Sequence, residues 1–212
     1  MAETTTKYTQ SGCVGGDLGP HDCHSCLNDS RVILPQICQT KEAIGWYDYC
    51  MLRYSNRSIF GTVEISPDFY MWNAFSIPAT EIDQYTIALR NLMDKLRTMA
   101  SAGDSYRKFS FLSVNISGGS FQNIYGLAQC TPDLSSLQCD YCLAGAFLET
   151  PNCCNGKRGG RVIKPSCNVR YEVYSFFNYT VDAPKPLSKD RTHVLSPLFR
   201  LTCLLCVRWL NL

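Results

Sequence analysis

The chain has 212 residues, 13 cysteines and a formal net charge of +2. That balance, with no basic block longer than Lys157-Arg158, gives no electrostatic footprint for nucleic acid, and the length suits one or two domains. Cysteine at this density means disulfides in an oxidising compartment or metal ligands in a reducing one, and the odd count leaves at least one thiol without a partner in the chain.

Met1 to Tyr8 holds no apolar core, so no secretory leader is visible. Five cysteines follow, Cys13, Cys23, Cys26, Cys38 and Cys50, and they recur as Cys130, Cys139, Cys142, Cys154 and Cys167. The first and last are shifted by 117 residues and the three between by 116. Flanking residues repeat with them: Cys-x-x-Cys-Leu from Cys23 and from Cys139, and Cys-x-x-Arg-Tyr from Cys50 and from Cys167. The chain is a tandem repeat of one small cysteine module. Only 12 residues precede Cys13, whereas about 60 patterned residues run from Phe69 to Cys130. The first module, residues 1–60, therefore reads as truncated, short of a helix and a strand, and is expected not to fold stably alone.

The second module, residues 66–180, reads as a full set of elements. Thr80 is the expected N-cap of a helix in which Ile82, Tyr85, Leu89, Leu92, Met93, Leu96 and Met99 form one apolar face. Ser101-Ala-Gly103 ends it, and Met93 and Met99 are both expected in the core. Lys108 to Asn115 and Asn123 to Cys130 read as strands. Ser135 or Ser136 caps a second helix carrying Cys139, Cys142, Leu143 and Phe147. Cys139 and Cys142 lie on adjacent turns, so each is placed to bond outward to a different element. Arg161 to Pro165 and Cys167 to Tyr174 are the last two strands. In the final one Cys167, Val169, Tyr171 and Val173 face one side, and Asn168, Arg170 and Glu172 the other. The fold class is α+β: two tandem disulfide-clamped modules, each with two helices on an antiparallel sheet, the first incomplete. Residues 181–212 read as a linker and an unstructured tail; its apolar run, broken by Arg200 and Arg208, is too short to span a bilayer. Cys203 and Cys206 have redox spacing without the strand and helix that such a motif requires.

Asn28, Asn56, Asn115 and Asn178 each open an Asn-x-Ser/Thr acceptor for glycosylation, which favours an extracellular setting. The three histidines, His21, His24 and His193, do not recur between the copies, and no nucleophile with a base beside it stands out; the chain is read as non-enzymatic. Cys23-x2-Cys26-x11-Cys38-x11-Cys50 offers four thiolates for zinc as an alternative. Against that reading stand Cys13, Cys130 and the glycosylation acceptors.

The run Cys130-x8-Cys139-x2-Cys142, then Cys153-Cys-Asn-Gly-Lys-Arg-Gly-Gly-Arg-Val, then Ser166-Cys-Asn-Val-Arg-Tyr-Glu, resembles the plant cysteine-rich repeat family. This is the ginkbilobin-2-like (Gnk2-homologous, DUF26-type) module of secreted cysteine-rich repeat proteins and of cysteine-rich receptor-like kinase ectodomains. Ile44 to Cys50 and Phe69 to Asn73 are similar to segments of tandem members. The resemblance implies the disulfides Cys13–Cys23, Cys26–Cys50, Cys130–Cys139 and Cys142–Cys167. Its third bridge joins an N-terminal cysteine to the position of Cys38 and Cys154. On that scheme Cys38 has no partner, Trp72 takes the N-terminal cysteine position of the second module, and Cys153 and Cys154 either bond to each other or remain thiols.

Ginkbilobin-type members bind mannose and are antifungal. Matched residue by residue, the resemblance implies a sugar site at Asn73, Arg161 and Glu172. In the first module the arginine position falls near Gly45-Trp46 and the glutamate position on Ser55, so a site is expected once. No cofactor or metal is implied. The expected partners are mannose-type glycans, or apoplastic and receptor proteins if the chain acts as an interaction ectodomain. The expected location is the apoplast, with a role in defence. Arg161 and Glu172 could instead form a cross-strand ion pair, with Asn73 capping a turn.

Overall fold

A computed structural model describes residues 8–13, 18–104, 107–116 and 119–177. These form two compact units, residues 8–57 and 58–176. The first contains β1 (Tyr8–Cys13), α1 (Pro20–Ile37), β2 (Ala43–Trp46) and β3 (Cys50–Ser55). Its sheet is antiparallel in the order β1-β3-β2. Leu34, Cys38, Ala43, Leu52 and Tyr54 form its core. A polar clamp adds to them: the buried Arg53 donates to Glu42 at 2.8 Å, and Arg57 donates to both oxygens of the same carboxylate at 2.7 and 3.0 Å. Burial alone would raise the pKa of Glu42, but the two guanidinium groups hold it below the usual carboxylate value.

The second unit contains β4 (Phe69–Trp72), a 3-10 turn (Ala79–Glu81), α2 (Ile82–Ser101), β5 (Phe109–Asn115), β6 (Asn123–Cys130), α3 (Ser136–Cys154), β7 (Gly159–Ile163) and β8 (Cys167–Glu172). Five antiparallel strands run in the order β4-β7-β8-β6-β5. Both helices pack on one face of this sheet. Leu92 and Leu96 of α2 are fully buried, each worth about 1.5–3 kcal/mol of burial. They reach the sheet because residue 126 is glycine: a Cβ there would come within 2.6 Å of Leu96 and 3.0 Å of Leu92. Helix α3 begins with a capping box, the Ser135 hydroxyl accepting from the Gln138 N–H and the Gln138 side chain accepting from the Ser135 N–H.

Three expectations are corrected. Thr80 is not an N-cap: it lies inside the 3-10 turn, and α2 begins at Ile82 with Glu81 before it. Met99 is 49% exposed, whereas Met93 is buried. In the last turn of α2 the fully buried Ala100 takes the core position, and Met99 lies at the edge of the apolar stripe. Cys38, expected to have no partner, is disulfide-bonded.

Candidate functional site

Five further disulfides join the described cysteines: Cys13–Cys23, Cys26–Cys50, Cys130–Cys139, Cys142–Cys167 and the adjacent pair Cys153–Cys154. All four thiolates of the alternative zinc set are thereby disulfide sulfurs. In each module the frame does the same work. One bridge ties the helix start to the end of a strand, β1 or β6, and the other ties its second turn to the start of the neighbouring strand, β3 or β8.

Glu172 ends β8 and sits opposite Gly159 of β7, while Arg161 sits opposite Arg170. Paired residues of an antiparallel ladder share a face, so Arg161, Arg170 and Glu172 all lie on the side of the sheet away from the helices. Arg161 and Glu172 are therefore diagonal neighbours, and the residue directly across from Arg161 is another arginine. Gly159 leaves the space that the Glu172 carboxylate occupies: a Cβ at that position would displace the carboxylate from it. Asn73 continues the β4–β7 ladder through its N–H to the Gly159 carbonyl at 2.9 Å. Its side chain then does two things: Oδ1 accepts from the Phe75 N–H at 3.0 Å, and Nδ2 donates to Glu172 Oε2 at 3.4 Å. The structure thus brings Asn73 and Glu172 together, with Arg161 two residues along the same strand face.

Residue matching alone missed Arg170 and Tyr174. Arg170 Nη2 lies 3.6 Å from Glu172 Oε1, donates to the Tyr174 hydroxyl at 3.4 Å, and stacks 4.2 Å over the Phe176 ring. The signal was the strand alternation that puts Arg170 on the face of Glu172. Burial is the largest influence on Glu172 and raises its pKa above the ordinary 4.5; Arg170, Asn73 and Tyr174 offset it only in part.

Trp72, expected at an N-terminal cysteine position, pairs with Gly160, whose Cβ position would meet Cys154. In the first module the register places Ile44 opposite Arg53 as Arg161 is opposite Arg170, so the counterpart of Arg161 is Ile44 and not Gly45 or Trp46. Asn28, Asn56 and Asn115 are exposed; Asn178 and the cysteines at 203 and 206 lie outside the described residues.

A family model described as salt stress response/antifungal matches residues 2–57 and 74–174. The chain is 41% identical over 162 residues to an antimicrobial ginkbilobin-2-like protein of Castanea crenata, covering 76% of this chain and 65% of that one. It is 38% identical to cysteine-rich repeat secretory protein 38 of Arabidopsis thaliana, covering 76% and 62%. To cysteine-rich receptor-like protein kinase 25 of the same plant it is 37% identical over 183 residues, covering 86% of this chain and 26% of the kinase. The chain spans a little under two thirds of the first two relatives and about a quarter of the third. Its fold is similar to the tandem DUF26 ectodomain of the Arabidopsis thaliana cysteine-rich receptor-like protein PDLP8, with a TM-score of 0.61 at 21% identity over 80% of this chain and 83% of that one. With its repeated cysteine frame and a family match across both modules, the chain belongs to the salt stress response/antifungal family.

Proposed function

We propose that the chain is an extracellular, non-enzymatic recognition protein of the plant apoplast whose second module binds a mannose-type glycan through Asn73, Arg161 and Glu172. The supporting observation is the long Asn73–Glu172 hydrogen bond on the face that carries Arg161. At 3.4 Å it is weak, and a sugar hydroxyl that accepts from the amide and donates to the carboxylate replaces it at little cost. A carboxylate, a guanidinium and an amide together meet the donor and acceptor pattern of vicinal hydroxyls. Mannose titration of the full oxidised chain is expected to saturate, and Glu172→Gln to weaken binding at least tenfold. A folded wild type that shows no saturable binding overturns the reading.

The raised pKa of Glu172 sets the pH dependence. The ionised form is the one that accepts hydroxyl protons, so affinity is expected to fall as pH is lowered, with a midpoint above the ordinary 4.5. Stability has the opposite sign. A buried acid that holds its proton more tightly in the folded state stabilises the fold below its unfolded pKa, and that contribution is lost as pH rises through the folded value. Fluorescence-monitored mannose titrations across mildly acidic pH check the first point, and the Glu172→Gln variant should flatten the profile.

A protein-binding ectodomain is the second reading. Exposed apolar side chains on and after edge strand β4 favour it: Met71, Trp72 at 58% and Phe75 at 65% exposure.

A further inference from the structure

Helix α3 is apolar on two sides. Cys139, Cys142, Leu143 and Ala146 turn to the sheet and are fully buried. Leu137, Tyr141, Ala144 and Leu148 recur at spacings of four, three and four. At about 100° per residue they form a stripe on the opposite side. Leu137, Tyr141 and Leu148 are 79%, 58% and 76% exposed, and no charge falls on the stripe. A helix that packs on a core with one side ordinarily carries polar residues on the other. This one carries a second seam, with the spacing by which one helix packs along another. One turn on from Tyr141 stands Gly145, inside the helix, with nothing within 4 Å of where a Cβ would lie. The packing of the module does not call for glycine there, and glycine weakens a helix. Close approach of another chain does call for it.

The stripe is complementary to itself. Laid antiparallel on a second copy, about a two-fold axis level with Cys142 and Leu143, it sets Leu137 against Leu148 and Tyr141 against Ala144. Each Tyr141 ring then lies over the small Ala144 and Gly145 of the other copy, and a leucine pair closes either end. We propose that this face of α3 is an interface between two copies of the chain, joined as an antiparallel helix pair. The three large side chains expose roughly 400 Å² per copy, so two copies approach the lower limit of about 1,000 Å² for a specific interface. A reversible dimer with a Kd in the micromolar range is the expected result. Helix α3 lies on the face of the sheet opposite Arg161 and Glu172, so the dimer leaves that face of each copy uncovered by its partner. One dimer would then offer two sites to a branched glycan; this last consequence rests on the glycan reading, and the dimer does not.

Sedimentation equilibrium of the full oxidised chain tests the interface without any sugar. A concentration-dependent dimer is expected, and it should run as a monomer on a denaturing gel without reductant. Leu137 and Leu148 are exposed, so their substitution leaves the fold intact, as an unchanged thermal midpoint would verify. Leu137→Lys/Leu148→Lys sets like charges across both ends of the seam and should weaken the dimer at least tenfold. Leu137→Lys/Leu148→Glu sets opposite charges there and should dimerise at least tenfold more tightly than the double lysine variant. A chain that stays monomeric at about 0.1 mM overturns the proposal. So does a dimer held only by a disulfide, a dimer indifferent to the two lysines, or a lysine–glutamate variant no tighter than the double lysine.

Discussion

Replacing Cys142 and Cys167 together by alanine is expected to destabilise the second unit by about 3.5 kcal/mol, the chain-entropy value for a closed loop of this size. The two residues are 25 apart, their Cα atoms are 6.1 Å apart, and both are buried. The bridge fastens the second turn of α3 to the first residue of β8, the strand that ends in Glu172, so the fold and the proposed glycan site are weakened together. Against a typical total of 5–15 kcal/mol the loss is large. Urea denaturation of the oxidised proteins measures it. A shift below about 1 kcal/mol would mean that packing alone holds α3 to the sheet.

Gly126→Val is expected to cost about 3 kcal/mol, at the upper end for overpacking of a core. The Cβ alone would lie 2.6 Å from the Leu96 Cδ1 atom and 3.0 Å from Leu92 Cδ2. Those methyl ends can rotate a little, so Gly126→Ala should cost about half as much. Valine adds two methyls to the side chain, and fully buried Leu92 and Leu96 have no space to retreat into. Thermal unfolding of the two variants gives the ordering; equal midpoints for valine and wild type would mean that α2 does not bear on β6 at residue 126.

These two positions also show what a reader of the sequence can and cannot see. The spacing of Cys139 and Cys142 announced bonds to different elements, because residues three apart on a helix sit on successive turns. Asn123 to Cys130 and the Ser135 cap were equally visible, since a strand's alternation and a cap's side chain are local chemistry. Gly126 gave no such sign, because its role is set by a helix some 30 residues earlier in the chain. The same holds at the candidate site. Alternation put Arg170 and Glu172 on one face, but which residue of β7 lay opposite each depended on a register that sequence leaves open. That register put Arg170 across from Arg161, and Gly159 across from Glu172. Thr80 carried a good capping side chain, yet the chain after Pro78 tightens into a 3-10 turn before the helix begins. That Cys38 is bonded was beyond a residue-by-residue match, since the N-terminal cysteine the scheme pairs with it has no counterpart among residues 1–12.

Strand β5 forms one border of the five-stranded sheet and ends at Asn115, an exposed residue in an Asn-x-Ser acceptor. Border strands are where foreign chains can add to a sheet. A branched sugar attached at Asn115 would stand beside that border as a bulky hydrated fender. Such a sugar would hinder other chains from adding to the sheet along that border.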